Sequence, residues 1–246
     1  MAQPPKESRT ASKRQPKGLP ILHEDKDILV VNKPSGLLTV GSERDKSRTA
    51  HFLLNDYVRK GDTKSRNRVY VVHRLDQDTS GILLFAKTEA AKTFLQQNWE
   101  TTDKHYLAIV HGSLVDKRGS LRSFLVENAA QRVYSTADAS QGKLAQTDYL
   151  VLQESKGFSL LDIHLLTGRK HQIRVQFAEQ GHPLVGDRKY GNGQLVLKRL
   201  ALHARSISFP HPFHGRKMTF NCGMPEEFAR LLGTLSRGTA PFGPSF

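Results

Sequence analysis

The sequence predicts an α+β fold, and three observations carry the prediction. Strand-like apolar runs outnumber helical periodicities, the helical stretches interrupt them at irregular intervals, and two neighbouring runs are spaced as a hairpin. Regular βαβ winding would alternate the two kinds of segment, so α+β fits better than a doubly wound sheet. The 246 residues hold 37% hydrophobic side chains and a single cysteine, Cys222, which sets aside a secreted disulfide scaffold. No apolar run approaches the roughly 20 residues of a membrane span.

In chain order, residues 1–18 are expected to be a disordered basic arm. Pro4, Pro5 and Pro16 stand among Lys6, Arg9, Lys13, Arg14 and Lys17, with no large apolar residue after Met1 to offset the entropy of ordering. The arm lacks the apolar stretch of a secretory leader, and its prolines spoil a transit-peptide helix, so the cytoplasm is the expected location. Residues 19–236 read as the folded domain and residues 237–246 as a C-terminal tail. Ile28-Leu29-Val30-Val31 is a buried strand halted at Asn32-Lys33-Pro34, with Ser35-Gly36 as turn residues. Tyr70-Val71-Val72 and Ile82-Leu83-Leu84-Phe85 are strands on either side of a polar segment. Thr88 caps a helix with Glu89 in its first turn and Ala91, Phe94, Leu95 and Trp99 on one face. Tyr106–Val110 is another strand, and Tyr149–Leu152 with Phe158–Leu165 form the hairpin. A short helix covers Gln172–Gln180, stopped by Gly181 and then Pro183. Leu202, Ala204, Ile207 and Phe209 mark a strand with an irregularity. Pro225, Glu226 and Glu227 open a last helix whose inner face is Phe228, Leu231, Leu232 and Leu235.

Charge narrows the class of partner. Lys and Arg number 37 against 23 Asp and Glu, a net charge of +14, which favours a polyanion and most often nucleic acid. Between Leu166 and Lys217 ten basic residues face only Glu179 and Asp187, so a folded region, not the arm alone, makes the basic surface.

Two segments hold the chemistry. Between the second and third strand runs lie His73, Arg74, Asp76, Asp78, Thr79, Ser80 and Gly81, more functional groups than a hairpin loop needs. Asp76 and Asp78 invite a paired-carboxylate reading, as in glycoside cleavage, but periodicity does not decide which of them works. The bland alternative is a polar turn bonded to its own backbone. In the second segment, Thr167, Gly168, Arg169, Lys170 and His171 precede a helix, where backbone N–H groups favour phosphate. Arg174 sits between Ile173 and Val175, near core positions, and there calls for a carboxylate partner. Tyr106 opens its strand, either presenting its ring to a cleft or packing in the core. Zinc ligation by His203, His211 and His214 is weak, because Cys222 stands alone and no HExxH or paired CxxC spacing occurs. No GxxxxGK[ST] or GxGxxG loop is present, which argues against NTPases and dinucleotide enzymes.

His73-Arg74-Leu75-Asp76 followed, after two variable residues, by Thr79-Ser80-Gly81 resembles the central motif of the RluA-type pseudouridine synthases. Further segments resemble that family in the same order: Val31–Gly36, Lys104-His105-Tyr106, Thr167–Val175, Gly181–Asp187 and Leu202-His203-Ala204. The resemblance covers roughly residues 20–235. It implies that Asp76 is the catalytic carboxylate and Asp78 belongs to the variable pair. It implies that Tyr106 stacks on the target base, Arg174 pairs with the catalytic aspartate, Ile173 packs on the base, and Arg74 helps expel the nucleotide. Arg169, Lys170 and His73 are carried with them as substrate-binding residues. The implied fold is a mixed, largely antiparallel sheet with flanking helices and two subdomains around a cleft. Many members carry a small RNA-binding domain before the catalytic one; with about twenty residues ahead of the matching segments, none is expected here.

The implied reaction breaks a C–N glycosidic bond, rotates the uracil and rejoins it through carbon. Substrate and product contain the same atoms, so neither cofactor nor metal is expected. The expected partner is structured RNA, ribosomal or transfer, met by a monomer without membrane contact. Two other readings stand beside it: a non-catalytic RNA-binding protein on the same scaffold, and a metal-dependent phosphodiesterase using His73, Asp76 and later histidines.

Overall fold

The computed structural model describes residues 15–41, 47–194 and 196–233. Most of the expected basic arm, the C-terminal tail and Leu235 lie outside the described residues. One eleven-stranded sheet organises the chain, in the order β1 (Ile21–Glu24), β2 (Ile28–Lys33), β4 (Ser80–Ala86), β10 (Leu202–Pro210), β5 (Asp103–His111), β9 (Phe158–Leu165), β8 (Lys143–Ser155), β6 (Arg118–Glu127) and β7 (Val133–Thr136). Short β3 (Tyr70–Val71) pairs with β4, and β11 (Lys217–Asn221) pairs with β10. Only β4 and β10 run parallel, so the sheet is mixed and largely antiparallel, as expected. The pairing is unbroken from β1 to β7, so the sheet itself does not mark off two subdomains.

Four helices flank it: α1 (Ala50–Arg59), α2 (Glu89–Gln97), α3 (Gln172–Glu179) and α4 (Glu226–Leu232). Thr88 caps α2 as predicted, its hydroxyl accepting from the Ala91 N–H, but the helix ends at Gln97, leaving Trp99 beyond it. The sequence reading passed over α1, which Thr49 caps through the Phe52 N–H, and over β1, β6, β7 and β11. β1, β7 and β11 are only four or five residues long, and the alternation of β6 is diluted by Gly, Ser and Arg. No helix among the described residues is long and apolar enough to cross a membrane.

Strand alternation sorts the core onto two sides. Ala108 and Val110 of β5 and Leu161, Ile163 and Leu165 of β9 pack with Ile173 and Phe177 of α3. Leu107, Ile109 and Leu160, one residue out of phase, pack with Phe228 and Leu232 of α4. At the β4–β10 junction the backbones meet so closely that a Cβ at Gly81, whose φ is +110°, would lie 2.3 Å from the Ala204 carbonyl oxygen. Gly81 therefore stands as the second residue of β4, where no other residue fits.

Candidate active site

A cavity of about 640 Å3 opens over the ends of β5 and β9, within the size range of small-ligand sites. His73, Arg74, Asp76, Tyr106, Arg169, Lys170, Ile173 and Arg174, the eight residues singled out in the sequence, all line it. Asp78 does not; it faces a separate, smaller cavity with Arg188, Lys198 and Arg199. Of the two carboxylates, the one pointing at the shared space is Asp76.

The loop that carries Asp76 has no regular structure and is clamped from outside. Thr39 Oγ1 donates to the Leu75 carbonyl (2.9 Å) and accepts from the Leu75 N–H (3.2 Å). Gly36 donates to the Gln77 carbonyl at 2.9 Å, and Ser35 Oγ to the Asp78 carbonyl at 2.6 Å. Lys33, fully buried, donates to the carbonyls of Pro34, Leu37 and Gln77 at 3.0, 2.7 and 3.0 Å. Burial pushes its ammonium down to about 7, against the opposing pull of Asp78 and Asp76. The loop is thus pinned by groups of the distant 33–39 segment, mostly side chains, more than by its own turn, whose Thr79 N–H donates to the Asp76 carbonyl at 3.2 Å.

Arg174 reaches Asp76 from the first turn of α3, its Nη1 donating to Asp76 Oδ2 at 3.1 Å. Its other edge forms a two-pronged pair with Asp187, Nε to Oδ2 at 2.7 Å and Nη2 to Oδ1 at 2.8 Å. Asp187 also accepts the N–H groups of Lys189 and Tyr190 at 2.9 and 3.0 Å. Burial opposes both charges, yet the pairing prevails: the Asp187 carboxyl is held below the usual range and the Arg174 guanidinium above it. The carboxylate that the Arg174 position called for is therefore supplied twice, by Asp187 on the buried side and Asp76 on the open side.

His171 is the third neighbour of Asp76, with Nε2 at 3.7 Å from Oδ2. Its backbone takes a left-handed conformation (φ 54°), and its Nδ1 bonds the Tyr190 hydroxyl at 2.8 Å. Burial lowers the imidazole, with Asp76 opposing. Tyr106, across the sheet from Ile163, lines the same cavity, and burial together with the Asp76 charge keeps its hydroxyl protonated.

The remaining predicted residues have other engagements. Gln172 Oε1 accepts the Arg169 N–H at 3.0 Å, so that donor is not available to a phosphate, and Arg169 Nε donates to the Leu144 carbonyl at 2.9 Å. Lys170 is paired with Glu127. His73 stacks on Trp99 with ring centroids 4.3 Å apart, and its Nε2 accepts the Leu84 N–H at 3.1 Å. Arg74 is exposed at the cavity wall. Sequence reasoning missed Lys33, His171 and Asp187 as site residues. Lys33 had been read as a strand stop, and Asp187 lay inside a recognised segment without a role.

Two imidazoles next to the cavity set an acid limit on stability. His203 bonds Ser80 Oγ through Nδ1 (2.8 Å) and Cys222 Sγ through Nε2 (3.1 Å), and burial lowers it from 6.5 to about 4. Burial likewise lowers His73 to about 3. Both values lie below that of the unfolded chain, which therefore takes up protons first as pH falls. Unfolding free energy measured in urea is expected to fall between about pH 6.5 and 4. The fall should be shallower in His203→Asn, which has no proton to gain.

The fold and the cavity together define the class. Residues 27–179 match the RNA pseudouridylate synthase family, and the chain belongs to that family: an isomerase acting on RNA. It is 36% identical over 221 residues to an uncharacterized RNA pseudouridine synthase of Bacillus subtilis, YhcT, spanning 88% of this chain and 72% of that protein. It is 34% identical over 252 residues to ribosomal large subunit pseudouridine synthase D of Xylella fastidiosa, spanning 95% of this chain and 74% of the relative. Human RNA Pseudouridylate Synthase Domain Containing 4 shares the fold, with a TM-score of 0.73 over 88% of this chain and 92% of that one at 24% identity.

Proposed function

We propose that this protein isomerises specific uridines in structured ribosomal RNA, with transfer RNA as the second substrate class, and that Asp76 is the catalytic carboxylate. The observation that supports it most is the placing of Asp76 inside the cavity against Arg174, a cation itself fixed by buried Asp187. A uridine stacked in RNA hides its glycosidic bond, so the nucleotide turns out of its helix at a cost of a few kcal/mol. Stacking on the Tyr106 ring returns about 1–3 kcal/mol, and Ile173 offers the base an aliphatic wall. Exposed Arg74 is placed to fill the gap left in the RNA with a planar cation.

In the reaction Asp76 either attacks the anomeric carbon as uracil N1 leaves, or removes the proton of the neighbouring ribose carbon. Uracil then rotates and its C5 bonds the anomeric carbon, which displaces the Asp76 carboxylate on the first route or lets the abstracted proton return to the ribose carbon on the second; the C5 proton departs to solvent while N1 takes one up. Atoms and electrons balance without a cofactor. Arg174 orients the carboxylate, and the protonated Tyr106 ring serves as a neutral platform. The test is tritium release from transcripts of large-subunit ribosomal RNA and of transfer RNA labelled at uridine C5. Release from ribosomal transcripts is expected; RNA binding without release from either transcript identifies a non-catalytic binder instead.

A further inference from the structure

On β5 and β9 the residues out of phase with the cavity are polar near one end of the pair. Asp103 and His105 lie two apart on β5, Asp162 and His164 two apart on β9, and His105 pairs directly with His164. They share the sheet side of Leu107 and Leu160, whereas Tyr106 and Ile163 between them belong to the cavity side. The two imidazole rings are parallel within 6°, with centroids 4.8 Å apart. Asp103 Oδ1 lies 3.2 Å from His105 Nε2 and 3.0 Å from His164 Nε2. The carboxylate oxygen and the two ring nitrogens all lie within 4.8 Å of one another. That is the relation of ligands around a shared centre, and a tetrahedral ion with bonds of about 2.0–2.1 Å spaces its ligand atoms by about 3.3 Å.

We infer that Asp103, His105 and His164 bind one divalent transition-metal ion of the zinc class, on the face of the sheet opposite the catalytic cavity. A set of two imidazoles and one carboxylate suits zinc, cobalt or nickel rather than magnesium or calcium. The half-exposed positions of Asp103 and His164 leave room for water as a fourth ligand. The surroundings of His105 fit the same ion. Its Nδ1 faces Asp162 Oδ1 at 3.6 Å, and both atoms are buried without a hydrogen-bond partner. A metal-bound histidine donates its other ring N–H to a carboxylate, and Asp162 stands where a small closure of the 3.6 Å gap supplies that acceptor. Arg205 in turn bonds the far oxygen of Asp162 at 3.2 Å, from the point where the β10 register slips between Ala204 and Ser206. The other Asp–His group, Asp25, Asp27 and His211, needs no ion. Asp25 Oδ1 accepts the N–H groups of Asp27 and Ile28, and His211 Nδ1 accepts the Phe213 N–H, which leaves Nε2 to donate to Asp25.

An ion here ties β5 to β9 directly behind Tyr106 and Ile163, and it is independent of which residue performs catalysis. The full chain, dialysed against a chelator, is titrated with zinc chloride by calorimetry and with cobalt chloride by visible absorption. One zinc per chain, a tetrahedral cobalt spectrum and a zinc-dependent rise in melting temperature are expected. H105Q/H164Q should lose all three, and D162N should bind about 10- to 100-fold more weakly. Circular dichroism without metal checks that the variants fold, and D103N, at a half-exposed side chain, reports the same loss if the double variant does not. Absence of zinc uptake by the wild type overturns the inference. Retention of the equivalent by either ligand variant does the same.

Discussion

Asp76→Asn is expected to lower pseudouridine formation by about 10⁴-fold or more, the scale of losing a group that acts directly on the reacting atoms. The substitution preserves shape and removes only the charge, and Arg174 keeps its two bonds to Asp187, so the cavity wall stays in place. RNA affinity should hold or tighten slightly, because a negative charge facing a polyanion has gone. Tritium release and filter binding on the same labelled RNA read the two quantities. Turnover within tenfold of the wild type would remove Asp76 from the central role, whatever the binding showed. Asp78→Asn, at the separate cavity, serves as the control and should retain most of the activity.

Asp187→Asn is expected to cost about 3–5 kcal/mol of folding stability, the range for removing one partner of a buried ion pair. Its carboxylate is fully inaccessible and accepts four hydrogen bonds, two from Arg174 and two from backbone N–H groups. Without that charge, Arg174 remains a buried cation with only the more exposed Asp76 to balance it. Removing the cation as well, in Arg174→Met with Asp187→Leu, should restore part of the stability and none of the activity. Urea unfolding of the three variants separates the outcomes. A loss below about 1 kcal/mol in the single variant would mean that the pair does not hold the site together.

Much of the fold was legible because it is written in local pattern. Unbroken apolar runs gave β2 and β4, hairpin spacing gave β9, and a threonine cap followed by Glu89 gave α2. The Gly181 and Pro183 stop closed α3 within a residue of its end. Where alternation was diluted, as in β6 with its Gly, Ser and Arg, the pattern fell silent although the strand is ten residues long. The candidate site was partly legible too. The His73–Gly81 and Thr167–Val175 segments were conspicuous by composition alone, and both line one cavity. What composition left open was the choice between Asp76 and Asp78, two residues apart and alike in chemistry. The role of Lys33 is not legible from its place at the end of a strand, because it comes from the Gln77 carbonyl 44 residues away.

The sequence by itself determined that this is a basic α+β protein with the ordered motifs of a pseudouridine synthase, since charge, periodicity and motif order are properties of a chain read from end to end. Only the tertiary structure decided that the Arg174 reaching Asp76, 98 residues away, is held on its other side by Asp187, 13 residues away. Only it brought Asp103 and His105 beside His164. The reason is physical: such contacts are set by strand register and by the packing of α3 on the sheet, and a slip of one residue would turn each of these strand side chains to the opposite face.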